Sequence, residues 1–207
     1  MKTFYFFIAT ALACCFMSCS SADDGDATEP TSLFETVMST YGAEYVSYSA
    51  SKIGEIPSVS TGDMCSVLEA LRVNCNVLQD CFRTLEDSFE KVVMTGSYMA
   101  ATRSGVDEAF ALGVELKFSF DKGQVYYWGK DYTYHSNLFS WFAQGLSLSP
   151  MKNSDGYAYE FESETYLYFK VSDEANAVVK VPVIFKGSYN FHTEKGTYSF
   201  QLLKYSK

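Results

Sequence analysis

The chain has 207 residues, a net charge of −9 at pH 7 and 47% hydrophobic residues. So acidic a chain is a poor partner for phosphate backbones and anionic headgroups, and nucleic-acid binding is not expected. The stretch 33–207 is long enough for one domain with a substantial core. We predict a single folded domain there.

The N-terminal segment has the pattern of an export signal. Lys2 precedes an apolar run from Phe4 to Phe16, and Ser18 places a small residue directly before Cys19. The run is too short to cross a bilayer. We therefore predict a lipoprotein signal peptide at 1–18, with Cys19 as the lipidated residue; a plain secretory signal cut near Cys19 is the alternative.

An acidic, small-residue segment follows the cysteine. Residues 20–26 read Ser-Ser-Ala-Asp-Asp-Gly-Asp, which resembles the export tether of Bacteroidota surface lipoproteins. That resemblance implies a tether at 19–32 and a protein lipid-anchored to the outer membrane and exposed at the cell surface. An ordinary solvated linker would have the same composition.

Residues 33–53 allow two interpretations. Phe34, Met38 and Tyr41 have helical spacing, whereas Gly42 and the β-formers around Tyr45 favour strands. We leave the choice between helix and strand open.

A long helix is predicted from Asp63 to Thr95, because no Gly or Pro interrupts it and apolar residues recur at alternating steps of four and three. Ser60 or Thr61 would cap its start. If the helix is interrupted, we expect the break at 74–76. The stripe consists of Met64, Leu68, Leu71, Cys75, Leu78, Phe82, Leu85 and Phe89.

Three cysteines follow the tether: Cys65, Cys75 and Cys81. On a continuous helix Cys75 and Cys81 would lie about 9 Å apart along the axis, beyond the reach of a disulfide. No CxxC pair is present, and the histidines His135 and His192 are remote in sequence. We predict buried, unbridged thiols, no metal and no cofactor.

After the predicted helix, the spacing of the apolar residues changes to a period of two. Residues 114–120 and 179–191 alternate apolar with polar, and turn signals separate such runs. Close turns imply antiparallel pairing. We predict an α+β fold: a meander of about seven antiparallel strands with the long N-terminal helix packed on one face, and Pro182 at an edge or a bulge. The turn signals lie at 121–123, 129–130, 154–156, 173–176 and 193–196.

A Leu71-Arg72 pair stands before aromatic runs at 125–128 and 166–169. This arrangement resembles small uncharacterised lipoproteins of Bacteroidota, in which a helix precedes an aromatic-rich antiparallel sheet. The resemblance implies a fold and a location but carries no catalytic residue.

The sequence lacks the common catalytic motifs, including GxSxG, HExxH, the Walker loop and GxGxxG. Glu160, Glu162 and Glu164 would line one face of a strand, where carboxylates can serve a glycosidase or hold calcium. The solvated face of a half-buried strand explains the alternation better.

Aromatic residues cluster between 126 and 142, and one turn decides which are exposed. A two-residue loop at Lys122-Gly123 would bury Val125 and Tyr127 and expose Tyr126 and Trp128; a three-residue loop at 121–123 would reverse this. The turn rules leave both open. The cluster consists of Tyr126, Tyr127, Trp128, Tyr132, Tyr134, Trp141 and Phe142.

The candidate ligand-binding residues are Tyr126, Trp128 and His135. A tight turn at Gly129-Lys130 would place Tyr126 opposite Thr133 and Gln124 opposite His135 on one face. The interpretation is a surface-displayed, non-enzymatic binding module for a glycan or a protein. A carboxylate-dependent, glycosidase-like hydrolase and a structural envelope component are the alternatives.

Overall fold

The computed structural model describes residues 32–47, 55–74, 78–86, 89–103, 105–122, 124–143, 147–150 and 157–205. Cys19, Cys75, the predicted tether up to residue 31 and the turn at 154–156 lie outside this set, whereas Ser32 is described and is the N-cap of the first helix. The helices are α1 (Leu33–Tyr41) and α2 (Thr61–Val73), and a 3-10 turn spans Leu203–Tyr205. No helix within these ranges is long and apolar enough to cross a membrane.

Twelve strands are formed by the described residues. They are β1 (Glu44–Tyr45), β2 (Ser58–Val59), β3 (Gln79–Asp80), β4 (Phe82–Glu86), β5 (Phe89–Ala101), β6 (Asp107–Asp121), β7 (Gln124–His135), β8 (Ser140–Ala143), β9 (Ser147–Pro150), β10 (Ala158–Val171), β11 (Ala177–Asn190) and β12 (Lys195–Leu202).

The strands form two sheets. In the larger sheet the β10–β11 hairpin is central: β2, β8 and β9 line the outer side of β10, β1 and β12 line that of β11, and β3 pairs with β12. The smaller sheet is an antiparallel meander in the order β4-β5-β6-β7. The predicted turns at 121–123, 173–176 and 193–196 do join antiparallel strands, but the strands build two sheets instead of one meander. The protein is mostly β with two short helices, an α+β-like arrangement.

The predicted long helix is wrong. α2 ends at Val73 with Asn74 as its C-cap, whose side-chain amide donates to the Ala70 carbonyl at 2.7 Å. Met64, Leu68 and Leu71 are fully buried, as the stripe predicts. Beyond the break the chain becomes strand, and Leu78, Phe82 and Leu85 are exposed.

The start of α2 is fixed by hydrogen bonds with two other parts of the chain besides its own N-cap. Ser60 is the N-cap and accepts from the Asp63 backbone N–H at 3.1 Å. Asp173, in the β10–β11 turn, accepts from the Thr61 N–H at 2.8 Å. Burial acts to raise the pKa of Asp173, but its hydrogen bonds with Thr61 outweigh that and hold the pKa below its usual value. Asp63 in turn accepts from the Arg103 backbone N–H at 2.9 Å, joining the β5–β6 loop to the helix.

The ambiguous segment contains both kinds of structure. α1 ends at Gly42, whose φ of 66° is the left-handed conformation that glycine adopts without strain. β1 follows at once. Both interpretations of residues 33–47 are therefore partly correct, and residues 48–54 lie outside the described ranges.

The core lies between the two sheets and α2. α2 packs against β5 of the small sheet and against β10 and β12 of the large one. The Phe185 ring stacks on Phe161 at 5.5 Å and contacts Phe200 at 5.1 Å. Across the sheets, Phe118 meets Phe191 at 4.7 Å. Ser32–Lys207 forms one compact unit.

Pro182, which was predicted at an edge or a bulge, lies inside the central strand β11 and pairs in regular register with Tyr166 of β10. The outer side of β11 pairs with β1 at residues 179–180 and with β12 from Val183 onward. Pro182 falls between these two neighbours, where the ladder is interrupted. A residue without a backbone N–H is tolerated at such a gap.

Candidate functional site

The β6–β7 hairpin decides which aromatic rings are exposed. Asp121 pairs with Gln124, which leaves a two-residue loop starting at Lys122, whose φ is 48°. Positive φ at this position is typical of the turns that close two-residue hairpins. The first of the two loop alternatives is therefore the one observed. Val125 is buried and Tyr126 points outward, 45% exposed.

A β-bulge in β7 determines the position of Trp128. Phe118 pairs with Tyr127 and Lys117 pairs with Gly129, so Trp128 is an extra residue without an opposite partner on β6. Bulges bend a strand locally and redirect a side chain. The Trp128 side chain is 64% exposed on the outer face of the small sheet, the face turned away from the core.

The exposed rings are held in place from the side. Trp128 Nε1–H donates to Ser119 Oγ at 2.7 Å, and the Phe89 ring meets the indole in a T-shaped contact at 5.3 Å. Tyr126 donates its hydroxyl to Gln124 Oε1 at 2.6 Å. We call Phe89, Ser119, Tyr126 and Trp128 the aromatic platform. Two of these residues were not among the predicted site residues: Phe89, which the helical stripe included, and Ser119.

Charged side chains flank the platform on the same face. Lys117 pairs with Asp131, and Lys91 pairs with Glu115 at 3.3 Å. Both ion pairs therefore place hydrogen-bonding groups on the same face as the exposed rings, next to the apolar surface of those rings. The face can therefore contact a ligand that has both apolar and polar parts.

His135 does not join the other predicted site residues. Gly129-Lys130 is not a turn, because β7 continues through it and Lys130 pairs with Leu116. His135 pairs with Ala111, whereas Tyr126 pairs with Ser119, eight residues further along β6. At about 3.3 Å per residue the separation along the strand is roughly 26 Å. The predicted pairings of Tyr126 with Thr133 and of Gln124 with His135 are wrong.

Tyr132 and Trp141 of the cluster pack against the core, whereas Tyr134 and Phe142 are exposed. Tyr132 lies within hydrogen-bonding distance of Ser163 Oγ, at 3.2 Å, and its ring meets Trp141 at 5.5 Å. Trp141 is only 3% exposed. Tyr127, which the two-residue loop was predicted to bury, packs against Phe118 but is 38% exposed, so that part of the prediction is wrong. Its partial burial raises the pKa of the phenol. Only part of the cluster is available to a ligand.

The carboxylate row lies on the outer face of the large sheet. Glu160, Glu162 and Glu164 are all exposed. The hydrogen bond that Tyr166 donates to Glu164, followed by burial, raises the pKa of Tyr166 to about 12. Among the described residues no group of three or more acidic, histidine or cysteine side chains could hold a metal ion.

Cys81 lies beyond the break in the predicted helix, between β3 and β4. Its thiol is buried, and its Sγ is 3.9 Å from the Ser188 carbonyl oxygen. Burial, with a smaller contribution from Asp80, raises the pKa of Cys81 to about 12. Such a thiol is a poor nucleophile at neutral pH.

Two packed, mostly antiparallel sheets with an exposed, laterally supported aromatic face define a β-rich α+β domain. The chain belongs to a family defined by a domain of unknown function, DUF5033, which matches residues 25–202. No curated protein and no solved structure matches the chain.

Proposed function

We propose that this protein is a non-enzymatic binding module displayed on the cell envelope, with the aromatic platform as its ligand-binding surface. The observation that carries the proposal is the exposed Trp128 indole, held by Ser119 and Phe89. A large ring fixed before binding loses little conformational entropy when a ligand stacks on it. Exposed aromatic side chains of this kind are frequent anchors of binding surfaces.

The ligand class we propose is a neutral oligosaccharide. The apolar faces of sugar rings fit aromatic rings, and sugar hydroxyls fit the polar groups that flank the platform, Gln124 and the Lys117–Asp131 pair. The net charge of −9 disfavours polyanionic ligands. A protein ligand would use the same rings. Titration with a set of neutral oligosaccharides distinguishes a glycan ligand from a protein ligand.

Trp128→Ala should weaken oligosaccharide binding by about 1–3 kcal/mol, because the substitution removes the central stacking surface. The measurement is calorimetric titration of the full chain with maltohexaose, cellohexaose and xylohexaose. Phe142→Ala is the matched control, since Phe142 is an exposed ring on the larger sheet. Binding of none of these glycans, or equal losses in both variants, would contradict the proposal.

The envelope location is proposed from the sequence. A small residue before Cys19, the apolar run and the acidic segment 20–26 support a lipid-modified cysteine that anchors the domain to the outer membrane, facing outward. A single lipid chain binds membranes only weakly, so a stable anchor needs more than one chain.

Mass spectrometry of the membrane-extracted protein should therefore find an N-terminal Cys19 carrying diacylglyceryl and amide-linked acyl groups. Cys19→Ala should release the protein from the membrane fraction or leave the signal uncut, whereas Cys15→Ala, the matched control inside the signal, should change neither. An unmodified Cys19 at the mature N-terminus would refute lipid anchoring.

A further inference from the structure

An ion-pair network connects the edge strand of the small sheet with the large sheet. Arg83 of β4 lies opposite Val92, which is fully buried, so the Arg83 side chain is on the core side of the small sheet. Its Nη2 atom is 2.5 Å from Glu90 Oε1 of β5, and its Nη1 atom contacts Glu194 Oε1 in the β11–β12 turn. One guanidinium group therefore bridges carboxylates from both sheets.

The Glu90 carboxylate is largely removed from water. The Glu90 side chain is 16% exposed, and its second oxygen, Oε2, is buried without a hydrogen-bond partner among the described residues. Arg83 supplies the positive charge that compensates this carboxylate. A buried carboxylate that loses its counter-charge is strongly destabilised, so without Arg83 the Glu90 side chain has to move toward water.

Glu90 is the immediate neighbour of Phe89, the platform ring that supports Trp128. Successive residues of a strand point to opposite faces, so Glu90 lies on the core side while the Phe89 ring meets the Trp128 indole on the outer face at 5.3 Å. Phe89 is the first residue of β5, and its pairing with Glu86 is the last one of the β4–β5 ladder. Ladder ends open more easily than strand centres. A movement of Glu90 toward water therefore turns the backbone at the start of β5 and displaces the Phe89 ring.

The backbone of Glu194 supports a specific role for its carboxylate. Its φ of 56° is left-handed, a conformation that glycine adopts freely and that is strained for residues with a Cβ. A glycine at this position would relax the turn but would lose the contact with Arg83. The strained residue is thus one whose side chain joins the two sheets.

We propose that Arg83 and Glu90 are positioning residues of the aromatic platform. Their ion pair, anchored to the large sheet by Glu194, fixes the start of β5 and so holds Phe89 against Trp128 before a ligand arrives. The effect on ligand affinity rests on the function proposed above, because a ring fixed in advance loses less conformational entropy on binding. The effect on the Trp128 indole is measurable without any ligand.

The test uses the full chain carrying Trp141→Phe, so that Trp128 is the only tryptophan. Adding Arg83→Met should lower the fluorescence anisotropy of Trp128 and raise its quenching by acrylamide, because the Phe89 ring no longer confines the indole. Adding Glu90→Leu to Arg83→Met should restore both values, since an apolar pair can replace a buried ion pair without loss. Unchanged anisotropy and quenching in Arg83→Met, or no recovery in the double substitution, would overturn the proposal.

Lys180→Met is the matched control. Lys180 is 27% exposed against 24% for Arg83, and it forms a comparable ion pair with Glu44 at 3.0 Å, but on the large sheet. This substitution should change neither fluorescence value, and a change equal to that of Arg83→Met would refute the positioning role. If circular dichroism shows that Arg83→Met does not fold, the milder Glu194→Gln takes its place. It should change both values in the same direction, and no change there would contradict the proposal.

A second background tests whether Arg83 acts through Phe89. In Phe89→Ala the support of the indole is already removed, so Arg83→Met should change the anisotropy of Trp128 no further. Equal changes with and without the Phe89 ring would mean that Arg83 acts by another route, which would overturn the proposal.

In titrations with the neutral hexaoses, Arg83→Met should weaken binding by about two- to tenfold, the cost of ordering a ring that is no longer fixed. An unchanged affinity would overturn the proposal. Failure of the wild-type chain to bind any hexaose would contradict the proposed function alone, because the fluorescence measurements need no ligand and still decide the positioning role.

Discussion

Trp141→Ala is expected to lower the free energy of unfolding by about 3–5 kcal/mol, whereas Trp128→Ala should change it by less than about 1 kcal/mol. The two residues are the chain's only tryptophans. Trp141 is 3% exposed and packs against Tyr132 at 5.5 Å and Phe200 at 5.9 Å, so truncation leaves a cavity between the sheets. Trp128 is exposed and loses only its contacts with Phe89 and Ser119.

Chemical denaturation of the two variants, with circular dichroism as the readout, measures the difference. Trp141 Nε1 is buried without a hydrogen-bond partner among the described residues, so Trp141→Phe loses no hydrogen bond and should cost clearly less than Trp141→Ala. A loss of several kcal/mol in Trp128→Ala would make that ring structural and would remove the aromatic platform as a binding surface.

The sequence predicts the first half of the helical stripe correctly and the second half wrongly, for a physical reason. Met64, Leu68 and Leu71 share one helix face and are buried. Beyond Asn74 the same spacing continues by coincidence, because the apolar residues Phe82 and Leu85 lie on an exposed edge strand. The pairing of residues 79–80 with β12, more than one hundred residues away, decides the outcome. No local pattern contains that information.

The platform was predictable only in part. Turn chemistry narrowed the hairpin to two registers, and the observed one exposes Tyr126 and Trp128. The bulge at Trp128 depends on where the β6 ladder slips between Lys117 and Phe118. Gly129-Lys130 has the composition of a turn, but strand pairing with β6 on both sides of it overrides that preference.

Glycine positions test the sheet packing directly. Gly187, in the centre of the large sheet, is opposite Phe161, and a Cβ built there would lie 2.5 Å from the Phe161 ring and 2.4 Å from the Thr197 carbonyl oxygen. The ring is buried against Phe185 and the carbonyl belongs to the β12 backbone, so neither can move freely. Gly129 also lies in a strand, but a Cβ built there in the same way has no neighbouring atom within 4 Å.

Gly187→Ala should therefore lower the free energy of unfolding by about 1–3 kcal/mol, as expected for an overpacked core. Gly129→Ala, the matched control, should leave stability unchanged or raise it by up to about 1 kcal/mol, because alanine restricts the unfolded chain. Denaturant midpoints measure both.

In a double-mutant cycle, Phe161→Leu should offset part of the Gly187→Ala loss, with a coupling above about 0.5 kcal/mol, since the smaller side chain vacates the space that the new methyl group needs. Strict additivity would mean that the clash with Thr197 alone sets the cost, and equal stability of the two alanine variants would refute the close packing of Phe161 over Gly187.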